Sequence, residues 1–219
     1  MTTSPTDLDE RVSTLLERSE TLRRRGRADQ AIEPAEQAVE LAARLAREDP
    51  VRQLLALARA TDNLGRCYQH ARQFGRAAAA FEQAVSGFAI LAHADPHAHG
   101  ATLVDAMSNH ALSLAQLGEL ERAHAVALAT VELAEQQPGW GTLPLIVGVR
   151  QFLADLAEDL GRPEEALGHL LAGMRLLRAA IIEQQPGAAE AAARLAASSR
   201  ALCETHGLAL PDEVAAMLD

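Results

Sequence analysis

Small and apolar residues return along this chain at a fixed helical spacing. The clearest copy is NLGRCYQHARQFGRAAAAFEQAV, in which Leu64, Gly65, Tyr68, Phe74, Ala77, Phe81 and Ala84 recur three and four residues apart on either side of a break at Arg72. The frame fits three more segments. Ser19, Leu22, Gly26, Ala31, Ala35 and Ala38 occupy it in the first. Ala111, Leu114, Gly118, Leu120, Ala123, Ala127 and Thr130 do so in the third, and Leu153, Ala154, Ala157, Gly161, Ala166, Leu170 and Gly173 in the fourth. Each copy predicts two antiparallel helices joined by a tight turn.

Two registers compete for the second copy, because Gly75 could be aligned with Gly26, Gly118 and Gly161 in place of Arg72. The prolines decide. Each unit ends at Pro50, Pro96, Pro138 or Pro186, where the residue before Pro leaves the α region. Measured from Ala31, Ala77, Ala123 and Ala166 those prolines lie 19, 19, 15 and 20 residues on, and moving the anchor to Ala80 breaks the match between the first two units. The anchors are therefore 46, 46 and 43 residues apart. Pro163, followed by Glu164 and Glu165, suits the start of a helix, where acids favour the positive end. EDPVR, HADPHAHGAT, QQPGWGTLP and QQPGAAE are read as linkers.

Composition sharpens this to an all-α fold. The 219 residues include 46 Ala and 33 Leu against 15 Val plus Ile, too few β-branched residues for a sheet. All 20 basic residues are Arg, which removes chemistry that needs a P-loop or Schiff-base lysine. A net charge of −10 argues against nucleic-acid binding. No apolar run is long enough to span a membrane and MTTSPTDLDE lacks the layout of a signal peptide, so a cytoplasmic location without membrane contact is expected. Cys67 and Cys203 form no CxxC and are expected to be buried, reduced fillers.

The spacing resembles that of tetratricopeptide repeat (TPR) proteins, specifically the long-helix, kinesin-light-chain-like class, since the usual unit is about 34 residues. The resemblance implies a right-handed α-solenoid of antiparallel helix hairpins at about 8–50, 51–96, 97–138 and 139–186. An N-terminal stretch, 1–7, is expected to be disordered, and 187–219 is expected to supply capping helices, the first at about Glu190 to His206. Small residues at Gly65, Ala77, Ala84, Ala111 and Ala123 should let paired helices approach, while Tyr68, Phe74 and Phe81 fill the gap to the next hairpin.

The resemblance further implies a non-catalytic scaffold or adaptor that binds a protein or peptide in the groove lined by the first helix of each pair. The candidate groove residues are Arg59, Asp62, Asn63, Arg66 and Gln69 in the second unit, Asp105, Asn109 and Gln116 in the third, and Gln151 and Asp155 in the fourth. Asn63 and Asn109 share the slot that carries peptide-gripping Asn in that class, and a carboxamide can pair with a peptide N–H and C=O at once. Either Asn could instead be bonded within its own hairpin. Arg23, Arg24, Arg59 and Arg66 predict capture of a carboxylate at one end, and Asp155, Glu158 and Asp159 give the fourth unit the opposite sign. Rival readings are a self-assembling homo-oligomer and a regulatory sensor of a signalling peptide or small ligand.

Candidates for chemistry are sparse. HADPHAH holds His93, Asp95, His97 and His99 within seven residues, but it straddles a linker and no second cluster completes a metal site. His110 occupies a normally apolar slot and is expected to be buried. Trp140 is read as a plug beneath its linker rather than a partner anchor. No phosphate loop, nucleophile elbow or HExxH occurs, so neither enzyme activity, cofactor nor metal is expected.

Overall fold

A computed structural model describes residues 5–137, 139–212 and 214–215. Among these, nine helices and no strand are found. They are α1 (Pro5–Arg24), α2 (Ala28–Glu48), α3 (Pro50–His70), α4 (Phe74–Ala94), α5 (Pro96–Gln116), α6 (Leu120–Gln136), α7 (Leu143–Asp159), α8 (Pro163–Ile182) and α9 (Ala188–His206). The chain divides into two compact units, Met1–Glu119 and Leu120–Asp219. In the first, consecutive helices from α1 to α5 pack on one another and α1 also meets α3. In the second, α6 packs on α7, α7 on α8 and α8 on α9.

The turns between helices repeat one backbone device. Gly26, Arg72, Gly118 and Gly161 have φ of 72°, 58°, 85° and 72°, and they are 46, 46 and 43 residues apart. At each, the next residue's N–H reaches back five residues: Arg27 to Leu22 at 2.9 Å, Gln73 to Tyr68 at 2.8 Å, Glu119 to Leu114 at 3.0 Å and Arg162 to Ala157 at 2.8 Å. This closes the exposed carbonyls of the preceding helix end. Arg72 thus takes the left-handed role that glycine takes at 26, 118 and 161, in the register anchored on Ala77. Ala31, Ala77, Ala123 and Ala166 are all fully buried.

The prolines act at helix starts. Asp49 and Asp95 each leave the α region, at φ −141° and −138°, and cap the following helix by accepting from the N–H of Arg52 and Ala98, both at 3.1 Å. Pro50 and Pro96 then occupy the first helical position, where no N–H is needed. The expected linkers EDPVR and HADPHAHGAT therefore shrink to one residue each. Pro138 lies outside the described residues.

Close packing takes the expected form, with one difference of direction. A Cβ added at Gly65 would sit 2.9 Å from the Phe81 ring, so the glycine lets α3 lie against the fully buried phenylalanine of its own hairpin. Tyr68 reaches back to the preceding hairpin instead of forward: its hydroxyl donates to the Glu36 carboxylate at 2.6 Å, Arg76 pairs with the same carboxylate at 2.7 Å, and the Arg76 guanidinium stacks 4.2 Å from the ring centre. Burial and Glu36 push the Tyr68 hydroxyl up to about 12. Phe74 is half-buried under the Arg72 guanidinium.

At the N-terminus α1 already begins at Pro5, inside the stretch expected to lack order, and residues 1–4 lie outside the described set. At the C-terminus α9 starts two residues ahead of Glu190 and ends at His206 as expected. Val214 is fully buried in the apolar cluster of Leu170, Leu177, Leu195 and Leu202, whereas residues 213 and 216–219 lie outside the described set. Cys67 and Cys203 are both free and buried. Trp140 is half-buried, and His110 is 7% exposed. No described helix is long and apolar enough to cross a membrane.

Candidate functional site

Residues at i, i+3, i+4 and i+7 share one face of a helix, which places Arg59, Asp62, Asn63 and Arg66 in a row on α3 and Ser13, Leu16, Glu17 and Glu20 in a row on α1. The two rows meet across a cleft of about 550 Å³ in the first unit. Arg23 also lines it, and Phe88 and Thr102 contribute from α4 and α5.

Much of the charge in this cleft is already committed. Arg66 donates to Asp62 at 2.8 Å on its own helix and to Asp105 of α5 at 2.5 Å. Burial raises the Asp62 carboxyl above the ordinary carboxylate value, despite Arg66 beside it. For Arg66, burial works against the charge, but Asp62 and Asp105 outweigh it and hold the guanidinium above its ordinary value. The arginine therefore stays charged, and the cost of the arrangement falls on the more buried carboxyl. Arg24 pairs with Glu20 at 2.5 Å, and Arg23 lies 3.3 Å from His70, whose imidazole is pushed down by burial, Arg23 and Arg66.

Three of the four arginines expected to capture a carboxylate are thus engaged within the protein; Arg59 is exposed and makes no such pair among the described residues. Two buried polar atoms at the cleft also have no partner among the described residues: the second carboxylate oxygen of Asp62, an acceptor, and Nε of Arg23, a donor.

The two asparagines are used internally on their donor side. Asn63 Nδ2 donates to Ser19 Oγ of α1 at 2.6 Å, and Ser19 in turn donates to the Leu16 carbonyl. Asn109 Nδ2 donates to the carbonyl of Asp105 at 3.0 Å, one turn back on α5. Gln69 donates to Ser113 Oγ at 3.3 Å, and Gln116 is exposed at the end of α5. Of the ten predicted groove residues, Arg59, Asp62, Asn63 and Arg66 line the cleft directly, and Asp105 joins them through Arg66. Gln151 and Asp155 belong to the second unit, where Gln151 Nε2 donates to Asp155 at 3.0 Å. Partial burial, with Glu158 and Asp159 nearby, raises the Asp155 carboxyl. Gln151 also borders a separate cleft of about 370 Å³, with Leu143, Val147, Leu177 and Leu195 on its walls.

One cluster is absent from the sequence-based expectations. On α6 and α8, the second helices of their predicted pairs, His124, Glu165 and His169 bring one ligand atom each within 4.8 Å of one another. The HADPHAH residues form no such cluster among those described: Asp95 is the α5 cap, and His97 and His99 lie in that helix's first turn. The available signal was Glu165 and His169 four residues apart on one helix, with His124 directly after an anchor alanine. Nearby, Arg150 holds the Glu135 carboxylate with two nitrogens at 2.7–3.1 Å.

No family model and no curated protein sequence matches the chain. Solved structures do. TPR-like repeats described as those of a Podosopora anserina kinesin light chain match at TM-score 0.70 and 18% identity, over 96% of this chain and 92% of that one. The apo form of RapI matches at TM-score 0.64 and 13% identity, over 90% and 71%. BtubC (BKLC) from P. vanneervenii matches at 0.58 and 18%, over 82% and 66%. The protein is an all-α helical-repeat protein with the TPR-like fold of the kinesin-light-chain-like structures. At these identities the likeness is one of fold.

Proposed function

We propose that the protein is a non-catalytic interaction scaffold and that the α1/α3 cleft binds an extended peptide or protein segment. The observation that carries this reading is the pair of unpartnered buried atoms at the cleft, one acceptor on Asp62 and one donor on Arg23. Buried polar groups normally find partners, and leaving one unpaired costs about 1–3 kcal/mol. A peptide main chain supplies both an N–H and a C=O, so it can satisfy the two without regard to its side chains. Arg59, with no acceptor among the described residues, adds an attraction for a carboxylate on the bound segment.

The donor-side engagement of Asn63 and Asn109 shifts their role from gripping a peptide to setting the cleft wall. In this reading Asn63 fixes α3 to α1 through Ser19, and Asn109 offers its side-chain carbonyl alone. Selection of peptides from a random display library on the immobilised protein, followed by fluorescence anisotropy of the selected peptide, tests the proposal. Binding should weaken by about tenfold or more, equivalent to one lost interaction of about 1.4 kcal/mol, in the Arg23→Gln/Asp62→Asn double variant. Failure to select any peptide, or equal affinity for both proteins, would sink it.

A further inference from the structure

His124 and His169 stand in slots that are apolar elsewhere in the repeat. Counted from the anchor alanines, the slot of His124 is filled by Ile32, Ala78 and Leu167 in the other units, and that of His169 by Pro34, Ala80 and Val126. Both imidazoles are buried, with side chains 8% and 10% exposed, and neither Nε2 has a hydrogen-bond partner among the described residues. The two nitrogens nevertheless converge on one carboxylate: Glu165 Oε1 lies 3.2 Å from His124 Nε2 and 4.0 Å from His169 Nε2. Two buried, unpartnered imidazole nitrogens gathered about one carboxylate oxygen are an arrangement that a cation can complete.

We propose that His124 Nε2, His169 Nε2 and the Glu165 carboxylate form a zinc site that joins α6 to α8. Two imidazoles and one carboxylate are a ligand set for zinc that leaves a fourth position for water. Ligands about 2.0–2.1 Å from a tetrahedral zinc are about 3.3 Å apart, so ligand atoms that now lie within 4.8 Å of one another must draw together by up to about 1.5 Å.

The surroundings set the terms of binding. Arg150 NH1 lies 3.3 Å from His169 Nδ1, where it favours the tautomer with its proton on Nε2. Zinc requires that proton to leave and the Nδ1–H tautomer to form, which gives up one hydrogen bond. Arg150 keeps its other contacts with Glu135. Arg162, 3.7 Å from Glu165 and paired with Glu121 at 2.6 Å, lies near the carboxylate and opposes a second positive charge. Both arginines weaken the metal, so removing the Arg150 donor in Arg150→Met should tighten it. A metal here would tie together the second helices of two adjacent repeats, which repeat packing alone links indirectly.

The test is a zinc titration of the untagged full chain, stripped with chelator, against a chromophoric zinc competitor. One zinc per chain is expected. Cobalt in its place should give visible ligand-field bands of a four- or five-coordinate site. His124→Gln and His169→Gln should abolish both signals and Glu165→Gln should weaken zinc by at least tenfold, while His97→Gln should change neither. Circular dichroism checks that each variant folds; if the histidine variants do not, the zinc affinity of Glu165→Gln decides. Absence of saturable zinc, or stoichiometry and affinity indifferent to Glu165→Gln, would overturn the proposal.

Discussion

The Phe81 ring lies 2.9 Å from where residue 65 would carry a Cβ, so Gly65 and Phe81 mark a close approach of α3 and α4, as Gly87 and Ala58 do elsewhere along the pair. Phe81 is fully buried. Gly65→Ala would gain about 1 kcal/mol in helix propensity. Against that stands overpacking of about 1–3 kcal/mol. Urea unfolding should show net destabilisation. A gain in stability would mean that the two helices can part at no cost.

The turns at Gly26, Arg72, Gly118 and Gly161 make a paired prediction. Gly118 has open space around it, so Gly118→Ala bears the cost of its φ of 85° alone, about 1 kcal/mol. Arg72→Gly relieves the same backbone cost but loses the exposed stack on Phe74, leaving a gain of about 0.5 kcal/mol. Denaturant midpoints should move in opposite directions for the two variants. Equal signs would contradict the shared-turn account.

Asp62 gives a pH signature. Its folded carboxyl is raised above the ordinary value, so between the two values the folded chain holds a proton that the unfolded chain lacks. Stability therefore falls as pH rises through that window. Asp62→Asn removes the loss, so its stability relative to the wild type should improve from acid to neutral pH. A pH-independent difference would show that Arg66 compensates the carboxylate fully.

Cys67 is fully buried, and burial, only partly offset by Arg23, pushes its thiol up to about 11. At neutral pH its thiolate is then rarer by roughly 100-fold than that of an ordinary cysteine. A disulfide reagent should leave both buried thiols unmodified in the native protein and label two per chain in denaturant. Rapid labelling of the native chain would mean that α3 opens readily.

The repeat was legible because the features that carry it are local: a small residue where helices touch, a turn residue, an Asp-Pro start. Even the substitution of Arg72 for glycine was legible, since proline spacing is independent of the turn. What sequence spacing could not supply was the partner of each polar side chain. Asn63 and Ser19 are 44 residues apart and Arg66 and Asp105 39, so only the packed helices reveal that the asparagine is bonded and the arginine neutralised. The same holds for His124, whose companions lie on another helix. Tyr68 belongs to the core as its spacing implies, but its hydroxyl chose Glu36 behind it, a choice that the apolar pattern does not encode.

Arg59 is an exposed cation of the cleft. Arg59→Glu should weaken a display-selected peptide with an acidic residue by about tenfold, and the loss should shrink as salt is raised. Arg194→Glu, on α9, should leave that peptide's affinity unchanged. Equal effects of the two substitutions would indicate attraction by net charge alone.

The most direct test of the central claim is to photo-crosslink the selected peptide to the protein and map the adducts by mass spectrometry. The account predicts adducts on the α1 row from Ser13 to Arg23 and the α3 row from Arg59 to Arg66. Adducts confined to α7, α8 or α9 would contradict it.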